Sequence, residues 1–194
     1  MLINKTNVKN GRKFHMDGEI MFVSEALSIN DKYHLEIGGC DCVELVKQYG
    51  TPLYVMDESL IRKNCREYKN ALEKCYGGNG LVLFASKAFC TMAMCKIVEQ
   101  EGLGLDVVSG GELYTAVKAG FPANRIYFHG NNKTPEEIEL GIDSNIRRFV
   151  VDNKEELHIL NEIAGNKNKK VDISFRIKPG IDAHTHDFVQ TGQI

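Results

Sequence analysis

The chain has 194 residues, 43% of them hydrophobic and 26% charged, with a net charge of −2 and no tryptophan. That is enough apolar material for a core in one or at most two domains, and acids and bases are interspersed, with neither the basic stripe of a nucleic-acid binder nor an acidic tail. The apolar runs are strand-sized, well short of the roughly 20 residues a membrane helix needs, and the opening MLINKTNVKNGRKF has no signal-peptide core, so a cytoplasmic chain with no membrane partner is expected.

Residues 1–50 come first and have a grammar of their own. EIMFVS and YHLEIGG read as short antiparallel strands around a turn at Asn30-Asp31, and DCVELVKQYG reads as a helix. Residues 1–45 are therefore expected to supply strands to a β domain completed by later sequence, and residues 46–194 the first part of a second domain. Cys40, Cys42, Cys65, Cys75, Cys90 and Cys95 form no C-x-x-C pair and no secreted disulfide framework, so they read as small apolar residues in a reducing compartment. Cys40-Asp41-Cys42 lacks the second pair that a metal site would need, and no metal is expected.

From Thr51 the sequence alternates between apolar runs and amphipathic ones. PLYVM (52–56), LVLFAS (81–86), LGLDVVS (103–109), RIYFHG (125–130), RRFVVD (147–152) and VDISFRIK (171–178) each read as a strand. Helix starts follow several of them: Ser109-Gly110-Gly111-Glu112, Thr134-Pro135-Glu136-Glu137 and an Asp152-led version at Asp152-Asn153-Lys154-Glu155. Gly120 and Gly165 stand where helix ends need a left-handed residue. Ser109-Gly110-Gly111 is better read as a helix cap than as a phosphate loop.

Repeating βα units with nearly continuous apolar strands imply a parallel sheet covered by helices. No G-x-G-x-x-G follows the first strand, and the strand spacing of about 20–28 residues suits a TIM-type (β/α)8 barrel of about 250 residues. About six βα units are visible, so the barrel is expected to be incomplete in this chain. Active groups of such barrels sit at the carboxyl ends of strands. Lys87 is at that end of LVLFAS, on one face with Leu83 and Ala85 by strand alternation. By itself it is either a solvated rim lysine or an amine deprotonated by burial, able to form an imine with an aldehyde cofactor. His129, in His129-Gly130-Asn131-Asn132-Lys133, also ends a strand, either contacting cofactor or substrate or serving as a wall residue of a turn. His184-Thr185-His186-Asp187 places two imidazoles on one face, without further ligands nearby.

FASKA (84–88), GLGLDVVSGGEL (102–113), IYFHGNNKT (126–134), FVVDN (149–153) and RIKPGIDAHTHDFVQTGQ (176–193) together resemble the fold-type III pyridoxal-phosphate decarboxylases, whose barrel is like that of alanine racemase. The likeness runs through residues 37–194 and is strongest to the branch that converts meso-diaminopimelate to L-lysine and carbon dioxide. It implies that Lys87 binds pyridoxal 5′-phosphate, that Asp106 lies near the imine, and that Arg176 lies near the cofactor's phenolic oxygen. It further implies that a stacking histidine, a glycine-rich phosphate loop and an acid at the pyridine nitrogen come from later strands, and that a second copy completes the site in a homodimer. The chain is then expected to be an amino-terminal part of the enzyme that binds cofactor poorly or not at all by itself and is inactive alone. Alternatives are a related decarboxylase acting on ornithine, arginine or a carboxylated polyamine, or a non-catalytic cofactor-binding barrel, for which residues 1–50 have no use.

Overall fold

A computed structural model describes residues 2–3, 22, 24–177 and 179–180. The chain divides into two units, Met1–Cys75 and Tyr76–Ile194.

In the first unit, β1 (Leu2–Ile3), β2 (Leu27–Ile29), β3 (Leu35–Ile37) and β4 (Cys40–Asp41) are followed by α1 (Cys42–Tyr49), β5 (Met56–Asp57) and α2 (Glu58–Tyr76). Strands β2, β3 and β4 form an antiparallel sheet with Leu27 opposite Ile37 and Ile37 opposite Cys40. The turn at Asn30-Asp31 is present, closed by Asn30 Oδ1 accepting from Lys32 N and His34 N at 3.0 Å. Its first strand is Leu27–Ile29, however, and not EIMFVS, most of which lies outside the described residues. Asp41 explains why α1 begins where it does. Its Oδ1 accepts from Val43 N and Glu44 N, while Oδ2 binds His34 Nδ1 at 2.8 Å and Asn30 Nδ2 at 2.9 Å. Of the expected strand PLYVM only Met56 is extended into a ladder, and β5 pairs in parallel with β1.

The second unit carries β6 (Leu83–Ala85), α3 (Met92–Gln100), β7 (Gly104–Val107), α4 (Gly110–Lys118), β8 (Ile126–Phe128), α5 (Pro135–Asp143), β9 (Arg148–Val151), α6 (Lys154–Asn166) and β10 (Ile173–Phe175). All five strands are parallel, and their order in the sheet is their order in the chain. Each crossover is right-handed by the usual rule, and each steps the same way, so the helices collect on one face. A doubly wound sheet would need a reversal of strand order, and none occurs here. The expected α/β barrel is therefore found as an open run of five strands, incomplete within the described residues.

The helix-covered face is the core. Leu105, Val107, Ile126, Phe128, Phe149 and Val151 are at most 2% exposed, and burial of each such side chain contributes about 1.5–3 kcal/mol. Phe128 and Phe149 stack with ring centroids 6.0 Å apart. Against them pack Val98, Leu113, Ala116, Ile138, Ile142 and Leu160 from the helices, all buried. The opposite face carries a register row from Ala85 to Asp106 to Tyr127 to Arg148, in which the last three are half-buried. LVLFAS, read from sequence as buried on both faces, is half-buried at Leu83 and Phe84 and exposed at Ala85, because β6 is an edge of the described sheet.

Three helix starts repeat one device, a glutamate in the first turn that reaches back. Thr134 and Glu137 form a full capping box. Ser109 caps α4, and Glu112 accepts from Val108 N at 3.0 Å. Asn153, not Asp152, caps α6, and Glu156 accepts from Asp152 N at 3.3 Å. The left-handed stop expected at Gly120 is present, whereas Gly165 is helical and Asn168 takes the positive φ of 52° one turn later. Of the six cysteines Cys65 and Cys95 fit the buried apolar reading, whereas Cys40, Cys42 and Cys90 are half-buried and Cys75 is exposed; burial pushes the Cys95 thiol up to about 12.

Candidate active site

Because every strand of the sheet is parallel, all its carboxyl ends form one rim. Lys87 stands there on a single 3-10 turn, Ser86–Ala88, that follows β6. The strand ends at Ala85, so the turn, and not the pleat inferred from alternation, sets the direction of Lys87. Ser86 is buried at 1% exposure and anchors the turn through Phe89 N donating to its carbonyl at 3.1 Å. Lys87 itself is exposed and has no hydrogen-bond or ion-pair partner among the described residues. Of the two readings of Lys87 left open by the sequence, the exposure among the described residues is that of a rim lysine and not of a buried amine.

Asp106 is the register partner of Ala85 one strand over. Its carboxylate lies 3.5 Å from Nδ1 of His129, with side chains 25% and 34% exposed. His129 N donates to Val107 O at 2.8 Å, extending the ladder one residue beyond β8. Its Nε2 is shielded and has no partner among the described residues. Gly130 then turns the chain away with φ of 104°, where a Cβ would stand 2.9 Å from Val108 O. Arg176 follows β10, its N–H donating to Val151 O at 2.9 Å and its guanidinium meeting Asp152 at 3.2 Å.

Lys87, Asp106, His129 and Arg176 are therefore all on the expected rim, spread over β6, β7, β8 and β10. Only Asp106 and His129 touch. His184 and His186 lie outside the described residues. Asp41, the oxygen ligand that Cys40-Asp41-Cys42 would offer, is committed to its cap and to His34.

One rim residue had no local signal in the sequence. Lys133 has a side chain 1% exposed, and its ammonium meets Gly130 O at 2.6 Å, Val150 O at 2.9 Å and Glu156 Oε1 at 2.8 Å. Two carbonyls accept from the ammonium and the Glu156 carboxylate stands beside it as an ion-pair partner, which offsets the cost of burying the charge. The Phe128 ring lies beneath it, 5.7 Å from Nζ to centroid. The partners come from its own loop, from β9 and from α6, so spacing along the chain could not reveal them.

A singly wound α/β sheet with a partnerless lysine, a carboxylate–imidazole pair and an arginine along its carboxyl rim defines a barrel enzyme of the cofactor-binding kind. Comparison with known proteins gives the family: a model described as pyridoxal-dependent decarboxylase, pyridoxal binding domain, matches residues 58–194. The chain belongs to that family. It is 51% identical over 173 residues to diaminopimelate decarboxylase of Bacillus methanolicus, an alignment covering 89% of this chain and 40% of that protein. It is 49% identical to the diaminopimelate decarboxylase of Bacillus subtilis (strain 168), covering 89% and 39%. Among solved structures, diaminopimelate decarboxylase from M. jannaschii in co-complex with L-lysine superposes with a TM-score of 0.77 at 39% identity, over 85% of this chain and 38% of that one. The chain thus spans about two-fifths of the length of these relatives.

Proposed function

We propose that this chain supplies the lysine-bearing part of a pyridoxal-phosphate decarboxylase which, in a polypeptide that completes the barrel, converts meso-diaminopimelate to L-lysine and carbon dioxide. The observation that carries the reading is Lys87, a partnerless amine on the carboxyl rim of a singly wound sheet, one strand from the Asp106–His129 pair. The substrate is supported by the names of relatives about 50% identical to this chain.

The residues present fit the cofactor in kind: a free amine for its aldehyde, a shielded His129 Nε2 awaiting a polar partner, and a guanidinium for its phenolic oxygen. When bound, pyridoxal phosphate supplies an electron sink for the pair left on carbon as carbon dioxide departs. Lys87 would hold the cofactor through Nζ and, as an amine at that place, would serve as the proton carrier for Cα. Asp106 orients Nζ or the substrate amine and fixes the His129 ring through Nδ1. Arg176, steadied by Asp152, favours the ionised phenolic oxygen. In this reading residues 1–45 join a β domain, the protein works as a cytoplasmic homodimer, and the second copy helps close the site.

Carbon dioxide release from diaminopimelate, ornithine and arginine, measured in a polypeptide that completes the barrel, tests the proposal. Release from diaminopimelate, abolished in Lys87→Ala, is expected. Release from ornithine or arginine and not from diaminopimelate would overturn the substrate.

A further inference from the structure

We propose that Lys133 is a positioning residue for the cofactor site, its buried ammonium fixing the loop of His129 on one side and the guanidinium of Arg176 on the other. The description of the site as a cofactor site rests on the function proposed above; the coupling itself does not.

Both arms of the coupling are on the page. Towards β8, Lys133 holds the carbonyl of Gly130, the residue after His129, at 2.6 Å. That bond pins the left-handed turn that leaves His129 Nδ1 facing Asp106. Towards β10, Lys133 meets Glu156 Oε1 at 2.8 Å, Glu156 Oε2 accepts from Asp152 N at 3.3 Å, and the Asp152 carboxylate receives Arg176 at 3.2 Å. A third bond, to Val150 O at 2.9 Å, ties the ammonium to β9, the strand between them.

The cap of α6 does not itself need this cation. Glu112 closes the start of α4 through the same geometry, its carboxylate taking Val108 N as Glu156 takes Asp152 N, without a lysine against it. A buried ion pair is also a weak source of stability, since apolar replacements of both partners are often neutral or better. What the pair supplies at this place is a fixed geometry between two rim residues carried on different strands. Nor is Lys133 a rival for the cofactor aldehyde. Its ammonium donates to two carbonyls and pairs with a carboxylate, whereas Lys87 has no partner among the described residues.

The test uses the 194-residue chain, NMR signals of the His129 imidazole and the Arg176 Nε–H, and two variants, Lys133→Met and Glu156→Gln. Glu156→Gln keeps the side-chain volume and an acceptor for Asp152 N, so it carries the comparison if Lys133→Met does not fold. The expected result is that the His129 and Arg176 signals both shift or broaden, while the His34 signal of the first unit stays in place. Unmoved His129 and Arg176 signals in a folded variant overturn the proposal, whatever the melting temperature does. Borohydride trapping of pyridoxal phosphate on Lys87 runs alongside. Failure of an unaltered polypeptide that completes the barrel to trap cofactor there counts against the proposed function, while the NMR arm still decides whether Lys133 sets the two side chains.

Discussion

Lys87 and Lys133 occupy the same rim and are opposites in every respect that matters to chemistry. Lys87 rides a one-turn 3-10 segment, is exposed, and meets no acceptor among the described residues. Lys133 is 1% exposed at its side chain and is held by two carbonyls and a carboxylate. An amine can attack a carbonyl only from a lone pair, so an ammonium that donates to two carbonyls and is paired with a buried carboxylate is unavailable however close it stands. The contrast teaches that, under the proposed function, a lack of partners as much as place separates the lysine assigned to the cofactor from its neighbour on the rim.

The largest effect that sharpens the contrast is on stability. Lys133→Met strands the Glu156 carboxylate in a buried site and is expected to cost about 3–5 kcal/mol, while Lys87→Met should change stability by no more than about 0.5 kcal/mol. Urea denaturation of the two variants measures both; equal midpoints would break the comparison. Next comes the turn that Lys133 pins. Gly130→Ala forces a side chain into φ of 104° and against Val108 O, with an expected loss of about 1–3 kcal/mol read from the same unfolding curves.

A smaller effect belongs to Asp41 of the first unit, a partnered charge that is not deeply buried. The hydrogen bond from His34, then those from Asn30, Val43 N and Glu44 N, hold its carboxyl at about 2, against the pull of burial. A carboxyl depressed in the folded state stabilises above its ordinary value of 3.8 and loses that contribution as pH falls toward 2. Acid unfolding of the first unit should therefore become shallower over that window in Asp41→Asn, and an unchanged acid limb would refute the assignment.

Much of the second unit was legible because its signals are local. Val107, Phe128 and Phe149 lie in apolar runs, and Ser109 and Thr134 advertise their helices by side chains that need no tertiary partner. Errors arose where a neighbour decides. Asn153 displaced Asp152 as cap because Asp152 is drawn to Arg176, and Ala85 ended its strand before Lys87 because Ser86 is buried into a turn. The rim positions of Lys87, Asp106, His129 and Arg176 followed from strand ends. Lys133 did not, since its acceptors come from β9, α6 and its own loop.

The most direct measurement is to react a polypeptide that completes the barrel with pyridoxal phosphate, reduce with borohydride, and locate the label by mass spectrometry. The account predicts label concentrated on Lys87, well above exposed lysines such as Lys47 and Lys63, with Lys133 unmodified. Label on Lys133, or on Lys87 no more than on Lys47, would contradict it.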